Sequence, residues 1–179
     1  MAIAGASAVM AGAAFLILTR SHNGATQAHV LTTPASLGCF TQQPQLAQQM
    51  QAKQLQQEIV AKSSGTAKHV IYAVYECPGS TGEPQVILFI GGNLVGASPS
   101  SFISGFTGNL QGATTTSAGS LGGDAACAPS VDGHPAVCAW ADNDTFGAFA
   151  SANINGPSLA KDMRQMRPEI ERPADPASK

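Results

Sequence analysis

Charge is scarce in this sequence. Only 11% of the residues are Asp, Glu, Lys or Arg, well under the roughly 25% of ordinary soluble domains. Nine basic and eleven acidic residues are scattered along 179 positions, leaving a net charge of −2 and no basic block. Without such a block nothing is placed to neutralise a run of phosphates, which excludes nucleic-acid binding. Catalytic signatures are missing as well. No serine lies in a G-x-S-x-G elbow; Gly119-Ser120-Leu121-Gly122 departs from that pattern. The stretch GGNLVG (91–96) stands between a strand and a helix, as a phosphate loop would. Its glycine spacing is wrong and no lysine follows, which argues against nucleotide binding. No C-x-x-C pair exists to start a zinc site with His134 or His69. DNDTFG (142–147) offers too few alternating oxygen ligands for a calcium loop and no later bidentate glutamate. The motifs therefore imply neither a cofactor nor a metal.

What is present begins with an uncharged stretch, Met1 to Thr19, closed by Arg20. At about 1.5 Å per residue it just reaches the roughly 30 Å of a bilayer core. It has no charged leading region, and Thr26-Gln27-Ala28 is a weak cleavage site, so a retained anchor is expected over a cleaved signal. Membrane lipid is thus an expected partner of this helix. Arg20 votes for a cytoplasmic side after the span. Four cysteines vote for an oxidising one, and outweigh a single arginine. Ala4, Ala8 and Gly12 form a small-xxx-small face on which weak homo-association could rest.

Beyond the span, residues 20–33 read as a polar tether with a first strand near Val30. Residues 42–62, glutamine-rich with Pro44 near the start, read as one helix whose apolar face is not clean. KHVIYAVYEC (68–77) and QVILFI (85–90) are dense in β-branched and aromatic residues and flank the turn residues PGSTGEP. Apolar residues fill both phases of these strands, so both faces of the sheet are expected to be covered. Gly91-Gly92-Asn93 should stop the second strand. Ser98 and Pro99 then open a short helix. Strands follow at 112–118, 123–128, 135–142 and 145–150, the last two closed by Asn143-Asp144. A final helix opens at Ser158, with Leu159, Met163, Met166 and Ile170 on one face and Pro168 expected to kink or end it near Arg167. The expected fold is α+β: a mainly antiparallel sheet packed with helices, preceded by one N-terminal transmembrane helix. Its parts are an anchor (1–19), a tether (20–33), an extracytoplasmic domain (34–171) and a frayed tail (172–179).

The stretches IGGNLVGASPSSFISGF, AGSLGGDAACAP, PAVCAWADNDTFGAF and LAKDMRQMRPEIE occur in this order. Over residues 30 to 171 the chain resembles a family of actinobacterial membrane-anchored proteins, the CAWADNDTFG stretch being the most specific part. The resemblance implies one N-terminal span and an external domain, and carries no activity, cofactor or catalytic residue with it.

Four cysteines allow three pairings. Cys127 and Cys138 flank PSVDGHPAV at a spacing that suits adjacent strands, which leaves Cys39 with Cys77. Asp124, Asp132, Asp142 and Asp144, with His134, are the one titratable concentration worth an acid/base hypothesis. Each aspartate also sits in a turn, where aspartate commonly caps its own backbone, and turn chemistry is the better account. Trp140 could form a ligand platform, but its phase with Cys138 favours packing near the disulfide. The expected function is a non-catalytic, membrane-tethered extracytoplasmic domain that binds a small ligand or an envelope protein. The alternatives are an envelope hydrolase using Asp142 or Asp144 with His134, and a structural protein assembling through Ala4, Ala8 and Gly12.

Overall fold

The computed structural model describes residues 28–79, 82–131 and 133–174. In chain order the elements are β1 (His29–Leu31), β2 (Ser36–Leu37), β3 (Phe40–Gln42), α1 (Pro44–Gln49), α2 (Ala52–Lys62), β4 (Ala67–Cys77), β5 (Gln85–Leu94), α3 (Pro99–Asn109), β6 (Thr114–Thr116), β7 (Asp124–Ala128), β8 (Ala136–Ala141), β9 (Thr145–Ser151), α4 (Gly156–Ile170) and β10 (Glu171–Pro173). The two β-branched runs become the long strands β4 and β5. They pair as a hairpin near the middle of an eight-stranded antiparallel sheet of order β2-β3-β4-β5-β9-β8-β7-β6. The fold is thus α+β with an antiparallel sheet, as the run of tight turns implies.

Both sheet faces are covered. One carries α4, whose Leu159, Met163, Met166 and Ile170 pack on Tyr75, Ile87, Phe89, Trp140 and Phe149. The other carries α1, α2 and α3 over Val74, Ile90, Leu94, Ala126, Ala139, Ala141 and Phe146. Disulfides join Cys39 to Cys77 and Cys127 to Cys138. This is the pairing favoured by spacing, and the second bridge links directly opposed residues of β7 and β8.

Several elements differ from the sequence expectation. The single helix over 42–62 is two, because Gln51 adopts a left-handed conformation (φ 53°) between α1 and α2. That break explains the untidy apolar face: Leu46 and Met50 belong to one axis, Leu55 and Ile59 to another. Gly91 and Gly92 do not stop β5 but continue it. A Cβ on Gly91 would lie 2.7 Å from both the Leu31 side chain and the Phe146 carbonyl, so these glycines serve close backbone approach. Pro168 does not end α4, which runs to Ile170. In the last turn it removes a single helical hydrogen bond, and burial of Met166, Arg167 and Ile170 holds the turn in place.

The tether and tail boundaries also move. His29–Leu31 pairs antiparallel with Glu171–Pro173 in a second, two-stranded sheet, so both ends of the described chain belong to the domain. No helix among the described residues is long and apolar enough to cross a membrane. The uncharged stretch 1–19, with Ala4, Ala8 and Gly12, lies outside the described residues, as do Asp132 and residues 175–179.

Candidate functional site

Where β1 and β10 meet the β8–β9 turn, the protein buries a network of charges. The helix that supplies it starts at Asn155, whose side chain accepts from Ser158 N–H at 2.9 Å, with a proline in the first turn. From that start the stripe Leu159, Met163, Met166 and Ile170 faces the sheet and brings Arg167 with it. Arg167 is 0% exposed and Glu171, four residues on, is 2% exposed. Charges so far from water require partners, and Arg167 has several. Its Nε donates to Glu171 Oε2 at 2.7 Å and its NH2 to Asp142 Oδ2 at 2.9 Å. NH1 donates to the carbonyls of Ala118 (3.1 Å) and Gly122 (2.7 Å), fastening the loop between β6 and β7. The guanidinium carbon lies 5.5 Å from the centre of the Trp140 ring, within cation–π range.

Asp142 does two jobs. Its Oδ1 accepts from the backbone N–H groups of Asp144 (2.8 Å) and Thr145 (2.7 Å), so the turn chemistry read from the sequence is present. Its Oδ2 faces Arg167. Burial pushes the Asp142 carboxyl up, yet the neighbouring Glu171 carboxyl, the two backbone N–H groups and the Arg167 charge together hold it below its ordinary value. Glu171 moves the other way: burial and the neighbouring Asp142 raise it against the pull of Arg167. Of the two carboxyls, Glu171 therefore retains a proton more readily.

Over this network opens a cleft of about 300 Å³ lined by His29, Pro99, Leu121, Gly123, Asp142, Asn143 and Asp144. His29 Nδ1 lies 3.8 Å from Asp144 Oδ2 and 3.7 Å from Glu171 Oε1. The histidine brought to the aspartates is thus His29, not His134. His134 sits in the turn before β8, its N–H bonded to Val131, whereas Asp142 and Asp144 follow the other end of that strand. Six residues of strand put about 20 Å between them, so the alternative of an Asp/His134 pair is not assembled. Trp140 is 0% exposed, stacked on Phe89 at 6.0 Å and set edge-on to Phe149 at 5.6 Å. Its Nε1 donates to Glu171 Oε2 at 3.3 Å. It is a core residue, enclosed by Phe89, Phe149 and Arg167, that positions Glu171.

His29, Arg167 and Glu171 were not singled out from the sequence. Arg167 and Glu171 stand four apart, and Arg167 lies four after Met163 on the apolar stripe, which was a legible sign of a buried pair. Ending the helix at Pro168 concealed it. His29 carries no local signal, since only the β1–β10 pairing brings it here.

A second feature lies on the opposite sheet face. Between α2 and α3 runs a groove of about 500 Å³ with Leu55 and Ile59 on one wall and Phe102 and Phe106 on the other. Its floor is Ile90, Leu94, Ala139, Phe146 and Ala148. Alanines at the floor leave the depth that larger side chains would fill. Lys62 and Glu58 form an exposed ion pair of 3.3 Å at its margin. The chain matches no family model, no curated protein and no solved structure.

Proposed function

We propose that the chain is a non-catalytic, membrane-tethered extracytoplasmic domain that binds a small apolar molecule, such as one acyl chain, in the groove between α2 and α3. One observation carries this reading: a largely apolar slot of about 500 Å³, walled by Leu55, Ile59, Phe102 and Phe106, with Ala139 and Ala148 among the residues of its floor. Ligand pockets are commonly about 300–1,000 Å³, mostly apolar, with a few polar groups at the edge. Ser63 and Thr66 supply such groups here. The uncharged stretch 1–19 supports the tether, and two disulfides support an oxidising compartment. The same features fit the external domain implied by the resemblance to actinobacterial membrane-anchored proteins.

The test is titration of the full chain with a fluorescent fatty acid, beside Ala148→Leu, which fills the floor of the groove. Saturable binding that Ala148→Leu weakens at least tenfold, with unchanged thermal unfolding, is expected. Equal binding by both proteins, or none, rejects the groove as the site. Thiol trapping in intact cells checks the compartment: all four cysteines should be protected as disulfides.

A further inference from the structure

The cleft over the charged network holds a second site, independent of the apolar groove. From its geometry we infer that His29 Nδ1, Glu171 Oε1 and a carboxylate oxygen of Asp142 bind a divalent transition-metal ion of the zinc type. One ligand atom from each of His29, Asp142 and Glu171 lies within 4.8 Å of the other two, the one His/Cys/Asp/Glu group among the described residues that does so. An ion with bonds of about 2.0–2.2 Å holds tetrahedral ligands roughly 3.3–3.6 Å apart. His29 Nδ1 and Glu171 Oε1 already stand 3.7 Å apart. Closing the set requires side-chain shifts of about an ångström or less, with no change of backbone.

Glu171 supplies the independent sign. Its Oε2 accepts from Arg167 and Trp140, while its Oε1 is buried with no hydrogen-bond partner. An orphaned acceptor in a side chain that is 0% exposed is costly, and this one points at His29 in the base of the cleft. Charge balance agrees. Acidic groups outnumber the one guanidinium: Asp142 and Glu171 bond Arg167, and Asp144 stands beside His29. A divalent ion removes that excess.

The surroundings are built to hold the ligands still. Arg167 and Trp140 fix one oxygen of Glu171, and the Asp144 and Thr145 N–H groups with Arg167 fix Asp142. Such outer hydrogen bonds orient metal-binding carboxylates. Asp144 Oδ2 lies 3.8 Å from His29 Nδ1, outside the set of three. An imidazole nitrogen beside carboxylates suits zinc and its neighbours, whereas calcium and magnesium take oxygen ligands alone. The bound ion would clamp β1 onto the β8–β9 turn and the end of α4.

The experiment is zinc titration by calorimetry of the chelator-treated full chain, alongside His29→Ala, Glu171→Gln and, as a control, His134→Ala. One zinc per chain is expected. His29→Ala should weaken binding by at least about a hundredfold, since even outer-sphere changes cost 10–100-fold. Zinc should also raise the unfolding temperature of the wild type and of His134→Ala, but not of His29→Ala. His29 is a partly exposed residue of a surface strand, so this variant reports on the site even if Glu171→Gln fails to fold. The proposal is overturned by no saturable binding below millimolar zinc, by equal binding in His29→Ala, or by loss of binding in His134→Ala alone.

Discussion

Replacing Arg167 by methionine probes the charged network most directly, because methionine keeps an apolar stem against Trp140 while removing every donor. Four hydrogen bonds are lost: those to Glu171 (2.7 Å), Asp142 (2.9 Å), Ala118 O (3.1 Å) and Gly122 O (2.7 Å). Bonds to charged partners contribute about 1.5–3 kcal/mol each. Removing one member of a buried ion pair costs about 3–5 kcal/mol, since the other charge stays buried. Water entering beside the loop carbonyls offsets part of the remainder, so a total of about 3–5 kcal/mol is expected. Urea unfolding at pH 7 with disulfides intact measures it. Acid provides the second readout. Asp142 is held below its ordinary value, so its contribution is present above about pH 4 and is lost as pH falls through its folded pKa. Glu171 is raised, so its contribution is present in acid and is lost as pH rises through its folded pKa. Without Arg167 both carboxyls bind protons more readily in the folded state. The gap between wild type and variant should therefore narrow as pH falls from 7 towards 4. A loss below about 1 kcal/mol, the range of an exposed ion pair, or a gap independent of pH, refutes the reasoning.

Other perturbations address other parts of the fold. Removing each disulfide by paired Cys→Ala substitutions should cost about 3.9 kcal/mol for Cys39–Cys77 and about 2.8 kcal/mol for Cys127–Cys138, from loop closure alone. The sequence separations are 38 and 11; a reversed order of urea midpoints would contradict this account. Gly147→Ala places a methyl group 2.3 Å from the Trp140 ring; overpacking of about 1–3 kcal/mol should follow, read as a lower unfolding temperature. Tyr75, buried and donating to Pro34 O, has its phenol pushed up by burial to about 12. Of the two tyrosines in the chain, Tyr75 should remain un-ionised near pH 11 in ultraviolet absorbance while the protein stays folded. The stability that Tyr75 lends through this shift is present below about pH 10 and is lost as pH rises through about 12.

Local chemistry carried most of the secondary structure. The β-branched runs became β4 and β5, Ser98-Pro99 opened α3, and Asp142 closed its turn. Errors arose where a local rule met a tertiary demand. Gly91 and Gly92 read as a stop because glycine weakens strands, yet neighbouring backbone lies so near that a Cβ could not be accommodated. Pro168 read as an end, yet the apolar stripe of α4 outweighed one missing hydrogen bond. Asp142 and Asp144 were noticed, but were matched with the histidine nearer in sequence.

By itself the sequence determined the α+β class, the covered sheet and the turns, because each depends on residues close along the chain. It also carried Arg167 and Glu171 four apart where the apolar stripe of α4 ends. Only the tertiary structure decided what those residues meet. His29 and Glu171 come together through the pairing of β1 with β10, elements separated by nearly the whole domain. The groove between α2 and α3 exists because two helices land apart on a floor that includes Ala139 and Ala148. No periodicity encodes a distance between elements; that follows from how their faces are shared out over the sheet.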